Sequence, residues 1–232
     1  MDNYNAIAEN YNDSELDAIT LWQLGYKIVK DLLGDVAGKK VLDYGCGTGT
    51  FSRYLQSMGA SVTGVDISEN MIGVAKKNGP GDIVYQTLSG NGLDFLDGDS
   101  FDFVVSNFVL CTLPSIHDIS LILDQVYRVL KKGGLFVFMN SNWDRSNGKE
   151  FISFRLDHCD HLTSGSPVTA IIKTEPTILL HDYFWSQEDY FSLLSKSGFK
   201  IKDLKEVLAK SDDVRWLDEK AFPPYYAVSA VK

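Results

Sequence analysis

Residues 41–50 read Val-Leu-Asp-Tyr-Gly-Cys-Gly-Thr-Gly-Thr: an apolar pair, then Asp43, then glycines at 45, 47 and 49. Glycine serves where φ must turn positive or where a ligand must lie against bare backbone. An acid at the head of such a turn suits an amine or a hydroxyl and does not suit a phosphate. A second acid, Asp66, lies 21 residues beyond Gly45. At the tip of a following strand it can accept hydrogen bonds from both hydroxyls of a ribose, giving orientation as well as affinity. A third candidate is His181, followed by Tyr183, Phe184 and Trp185. A histidine beside aromatic residues at a pocket mouth can take a proton from a hydroxyl or an ammonium group; His117, in a helix-capping region, is a weaker candidate. His158-Cys159-Asp160-His161 sets four potential ligands side by side. Adjacent residues rarely converge on one tetrahedral ion and no second pair completes a site, so no metal is expected.

The glycine spacing separates cofactor classes. A dinucleotide fingerprint, G-x-G-x-x-G, would need a glycine at 50 counted from Gly45, or at 52 counted from Gly47; the chain has Thr50 and Ser52. A phosphate-binding P-loop would need Lys followed by Ser or Thr after its last glycine, and none follows. What stands is D-x-G-x-G-x-G, and here the sequence resembles the class I S-adenosylmethionine-dependent methyltransferases. The resemblance spans roughly residues 36–140 and continues in order. Residues 101–114 look like the family's fourth motif, and the Leu-Lys-Lys-Gly-Gly-Leu junction at residues 130–135 also resembles it.

The resemblance implies a doubly wound, mostly parallel seven-stranded α/β sheet closed by an antiparallel hairpin, with S-adenosylmethionine as cofactor and S-adenosylhomocysteine as product. It implies that Gly45, Cys46 and Gly47 admit the cofactor backbone, that Asp66 holds the ribose, and that Ile67 and Met71 lie against the adenine. Asp43 is expected to order the turn and to reach the methionine amine through water. The family usually has an aspartate after the third strand to bond the adenine amino group; this chain has Thr-Leu-Ser-Gly-Asn-Gly at 87–92, leaving Ser89, Gly90 and Asn91 there. Asn107 and Phe108 are expected to line the methyl-transfer centre. The histidines often found near the positions of Cys111 and Thr112 are missing, which removes one possible base. A tyrosine-bearing N-terminal segment often folds over the cofactor in this family, making Tyr4 and Tyr11 lid candidates.

These residues need elements to position them. A helix is expected over residues 14–33, with Leu21, Leu24, Ile28 and Leu32 on one face. Strands are expected at 40–43, 61–66, 83–87, 101–107 and 135–139. The fourth of these is an almost continuous apolar run, as fits a strand buried on both faces. Ser68, Ser115 and Ser186 are helix caps. Residues 140–182 break the βα rhythm, with strands expected at 170–175 and 177–185 on either side of Pro176; substrate-specific structure commonly rests on such loops. Residues 199–208 and 225–231 supply the last strands. The chain is read as one domain: residues 1–34 a helical lid, 35–140 the cofactor-binding core and 141–184 a substrate-specific insertion. Trp22, Trp143, Phe151, Phe154, Phe184 and Trp185 could form a pocket that attracts a cation, although such residues are more often core.

Composition narrows the function. The 232 residues are 44% hydrophobic and 23% charged, ordinary globular values. A net charge of −9 argues against a nonspecific nucleic-acid surface. No apolar run approaches the roughly 20 residues that span a bilayer, and the first residues lack a signal peptide's charged and apolar regions. Three widely spaced cysteines read as free thiols in a reducing cytoplasm. The expectation is a cytoplasmic monomer or homodimer that moves a methyl group by in-line displacement to an oxygen or nitrogen of a small molecule, with no nucleic-acid or membrane partner. A nicotinamide-dependent oxidoreductase and a noncatalytic cofactor-binding regulatory module are the alternatives.

Overall fold

The computed structural model describes residues 18–90, 92–210 and 216–232. Tyr4, Tyr11, Ser14 and Asn91 lie outside the described residues.

Seven strands form the main sheet: β1 (Lys40–Tyr44), β2 (Ser61–Asp66), β3 (Val84–Thr87), β4 (Phe101–Asn107), β5 (Leu130–Ser141), β9 (Lys200–Glu206) and β10 (Tyr225–Val231). Their order is β3-β2-β1-β4-β5-β10-β9. The first five are parallel, and β10 runs antiparallel to both β5 and β9. The order reverses between β1 and β4, and ligands of open α/β sheets bind beyond the carboxyl ends of the strands at such a switch point.

Side chains alternate along each strand, so each face of the sheet is apolar and must be covered. One face takes α1 (Tyr26–Leu33) and α2 (Thr50–Ser57), with Ile28, Val29 and Leu55 packed on Val41, Val62, Val137 and Ala227. Ile72 and Ala75 of α3 (Glu69–Asn78) join this layer. The other face takes α4 (Ile116–Val129) and α6 (Gln187–Lys196), with Ile119, Leu123, Tyr190 and Leu193 packed on Leu42, Val104, Phe136 and Tyr226. Residues 21–25 form one wider helical turn leading into α1, and Leu21 and Leu24 are buried there. Residues 18–34 therefore belong to the layer that covers the sheet.

The insertion after β5 folds as expected into strands, and it holds one strand more than the sequence suggests. A short helix α5 (Trp143–Ser146) is followed by β6 (Phe154–Leu156), β7 (Pro167–Ile172) and β8 (Ile178–Tyr183), which form an antiparallel sheet in the order β6-β7-β8. Phe154, Leu156, Val168, Ala170 and Ile178 turn one face of this small sheet onto the main core. Ser68 and Ser115 cap their helices, and Ser186 with Asp189 forms a full capping box at α6. No helix among the described residues is long and apolar enough to cross a membrane.

One buried carboxylate joins three distant segments. Glu219 accepts from Thr20 Oγ1 at 2.9 Å, from the Ile152 amide at 2.7 Å and from the Leu217 amide at 2.9 Å. It is fully buried and stays satisfied by donors alone.

Candidate active site

The three glycines after β1 play unequal parts. Gly45, Gly47 and Gly49 all have positive φ, at 75°, 52° and 79°. A Cβ on Gly45 would collide with Val109, and one on Gly49 would collide with the Tyr85 hydroxyl. A Cβ on Gly47 would meet nothing within 4 Å among the described residues. Gly45 and Gly49 are thus required by packing, and Gly47 presents bare backbone to open space.

The turn hangs from the end of β2. The Gly45 and Cys46 amides donate to the Val65 carbonyl at 2.8 and 2.9 Å, and the Gly47 amide donates to Asp66 Oδ2 at 2.9 Å. Asp66 Oδ1 accepts from the Ser68 amide at 2.8 Å, and the Ile67 amide adds a third backbone bond. Burial nevertheless pushes the Asp66 carboxyl above its ordinary pKa, because desolvation outweighs these bonds. Asp43 is buried on the α2 side of β1, where Ser52 Oγ donates to its Oδ2 at 2.6 Å. It fastens the strand end to the helix that follows the turn.

The flanking candidates separate by exposure. Ile67 is 37% exposed, so its side chain is free for a flat ligand, whereas Met71 is buried at the start of α3. Ser89 and Gly90 lie on the surface after β3, and Gly90 also has positive φ with open space at its Cβ position. At the tip of β4 the Asn107 side-chain oxygen and nitrogen are both buried without a hydrogen bond among the described residues. Phe108 follows with φ of +57°, a strained conformation for a bulky residue, held by its amide bonded to the Met139 carbonyl at 2.8 Å and by an edge contact with Tyr225.

His181 does not join this group. Along β8, Ile178 and Asp182 face the body, while Leu179 and His181 face solvent, and the His181 ring bonds to Thr169 Oγ1 at 3.2 Å. The neighbour, Asp182, is the residue that the sequence reading missed. It is buried against the turn at Leu110–Thr112, where the Cys111 thiol donates to its carboxylate. His158 pairs with Asp160 at 3.2 Å on the surface, and no cluster of metal-ligating side chains occurs among the described residues. Of the six aromatic candidates, Trp143, Phe151, Phe154 and Phe184 are buried core.

This arrangement has known counterparts. Residues 42–138 match a methyltransferase domain family. The chain is 32% identical over 163 residues to an N-demethylindolmycin N-methyltransferase of Streptomyces griseus, covering 68% of each chain. It is 30% identical over 211 residues to a demethylmenaquinone methyltransferase of Tropheryma whipplei, covering 88% of this chain and 84% of that one. Its fold matches the crystal structure of an S-adenosylmethionine-dependent methyltransferase from Mesorhizobium loti with a TM-score of 0.69, at 24% identity and over 94% of this chain and all of that one. A bare glycine at the switch point, an acid holding the turn from the next strand, and these relatives agree: the chain belongs to the Rossmann-like S-adenosylmethionine-dependent methyltransferases.

Proposed function

We propose that this methyltransferase acts on an oxygen or nitrogen of a small molecule, and that residues 35–140 hold the methyl donor while residues 141–184 select the acceptor. The observation that carries this reading is Gly47: its open backbone face sits where the switch point of the sheet favours a ligand, beside the Asp66 carboxylate. S-Adenosylmethionine fits these groups. Asp66 is positioned to take the ribose hydroxyls, Ile67 to lie along the adenine with Met71 beneath it, and Ser89 and Gly90 to offer polar contacts at its edge. The backbone of Gly45, Cys46 and Gly47 receives the methionine part, and Asp43 keeps that backbone in place through Ser52.

The bound cofactor supplies a methyl group on a positively charged sulfur, and that charge disappears on transfer. The protein therefore needs alignment and exclusion of water more than new charge stabilisation, and positioning alone can supply effective molarities on the order of 10⁵ M or more. Asn107 and Phe108 at the tip of β4 shape that centre, with Phe108 held against Tyr225. The acidic chain and relatives named for N-demethylindolmycin and demethylmenaquinone support a small-molecule acceptor. Three cysteines, none of them in a disulfide, support a reducing, cytoplasmic setting.

Thermal melting with S-adenosylmethionine, S-adenosylhomocysteine and NAD, each in excess, tests the cofactor assignment. A ligand at about 100 times its dissociation constant adds roughly 2.7 kcal/mol. The two adenosyl compounds should raise the melting temperature and NAD should not; a rise with NAD alone would sink the reading.

A further inference from the structure

Beneath β8 lies a group of buried polar side chains that the cofactor site does not use. Asp182 comes from β8, Cys111 from the turn after β4, Asn140 from the end of β5, Tyr190 from α6 and Tyr226 from β10. All five are less than 9% exposed. Cys111 donates its thiol hydrogen to Asp182, and Asn140 Nδ2 donates to the Tyr226 hydroxyl at 3.4 Å. The Tyr190 hydroxyl lies against the Asn140 side chain, while Asp182 Oδ1 is buried without a hydrogen bond among the described residues. Such a group costs roughly 1–3 kcal/mol when its bond is left unmade. An ionised carboxylate oxygen is an acceptor only, so Asp182 Oδ1 asks for a donor from outside the chain. Cys111 belongs to the turn at Leu110–Thr112 that follows the tip of β4, where Asn107 and Phe108 stand.

We propose that Asp182 is a catalytic residue that receives the N–H or O–H of the methyl acceptor on its free Oδ1. The inference rests on the methyl-transfer reading above. As the acceptor's lone pair bonds to the methyl carbon, the carbon–sulfur bond breaks and its electron pair stays on sulfur; the acceptor's proton passes to Asp182 Oδ1. The chemistry of the site agrees. Burial raises the Asp182 carboxyl to about 7, the range in which a base accepts and returns a proton near neutrality. The groups facing it are Cys111, which burial holds as the thiol, and Tyr190, which burial holds as the neutral phenol. An acceptor with an ionisable amine or phenol suits this environment, and one with an anionic head does not.

The test uses the full chain with S-adenosylhomocysteine and a panel of aryl amines and phenols as probes, followed by methyl transfer from S-adenosylmethionine. At least one probe should raise the melting temperature of the complex and be methylated, with a rate that rises through a pH near 7. Asp182→Asn should bind S-adenosylhomocysteine within twofold of wild type, lose 10²-fold or more in kcat and show a flat pH profile; Asp182→Glu should recover part of the rate. An Asp182→Asn variant within threefold of wild-type kcat, or with its pH profile intact, overturns the proposal. So does a wild-type chain that binds S-adenosylhomocysteine and none of the probes. A wild-type chain that fails to bind S-adenosylhomocysteine overturns the methyl-donor reading itself, which separates the two failures.

Discussion

Asp66, half-buried, and Asp182, buried, are both carboxylates raised above the ordinary range, yet they are built into the molecule in different ways. Asp66 is wrapped by main chain: its partners are the amides of Gly47, Ile67 and Ser68. Asp182 is met by side chains: a thiol on one oxygen and nothing on the other. Backbone donors come with the fold and hold their place whatever side chain stands at those positions. Side-chain donors are changed by single substitutions. The proposed donor site is thus held by the fold's own backbone, and the proposed acceptor site rests on side chains that single substitutions can change.

Removing Asp66 strikes the first kind of site hardest. Asp66→Ala deletes the acceptor for the Gly47 amide and, in the proposed site, the one for the ribose, and calorimetry should show S-adenosylhomocysteine affinity falling by about two orders of magnitude or more. Retained affinity would mean that the turn does not depend on its carboxylate. Glu219→Ala should leave the ligand sites intact and loosen the joint between Thr20, Ile152 and Leu217. One buried and two partly buried donors lose their partner, so denaturant unfolding should report a loss of roughly 2 kcal/mol.

Asp182→Asn should move stability the other way, and only at high pH. The folded-state pKa, about 7, lies above the ordinary carboxylate value of 3.8. Between those values the unfolded chain releases the proton first, so wild-type stability falls as pH rises toward 7. Asparagine removes that loss: the variant's melting temperature relative to wild type should climb by several degrees between pH 4.5 and pH 8. A constant difference across that range would place Asp182 in contact with water. Gly47→Ala asks an alanine to take φ of +52° at an open position, costing about 1–2 kcal/mol in stability and weakening cofactor binding while leaving α2 in place. The smallest effect belongs to His181→Ala, which should change methyl transfer less than twofold because the ring faces solvent.

What the sequence made legible was what is local. The glycine turn, the five parallel strands, Ser68 and Ser186 as caps and the closing hairpin are written in spacings of a few residues, and residues 101–107 matched β4 to the residue. Asp182 escaped because its significance depends on Cys111, 71 positions away, and on strand parity. His181 and Asp182 are neighbours in sequence and opposite in space. The apolar alternation Ile178, Leu180 places Asp182 inward, and that was the available signal. β6 escaped because three residues, Phe154–Leu156, carry too short a pattern to stand out.

The fit of Gly45 against Val109 reaches beyond this one chain. The turn after β1 and the loop after β4 touch at a point with no room for a Cβ on residue 45, so a side chain there would require a smaller residue at 109. Selection for new acceptors that enlarges residue 109 would be expected to stall, and a search that varies positions 45 and 109 separately would discard combinations that only a paired change could deliver.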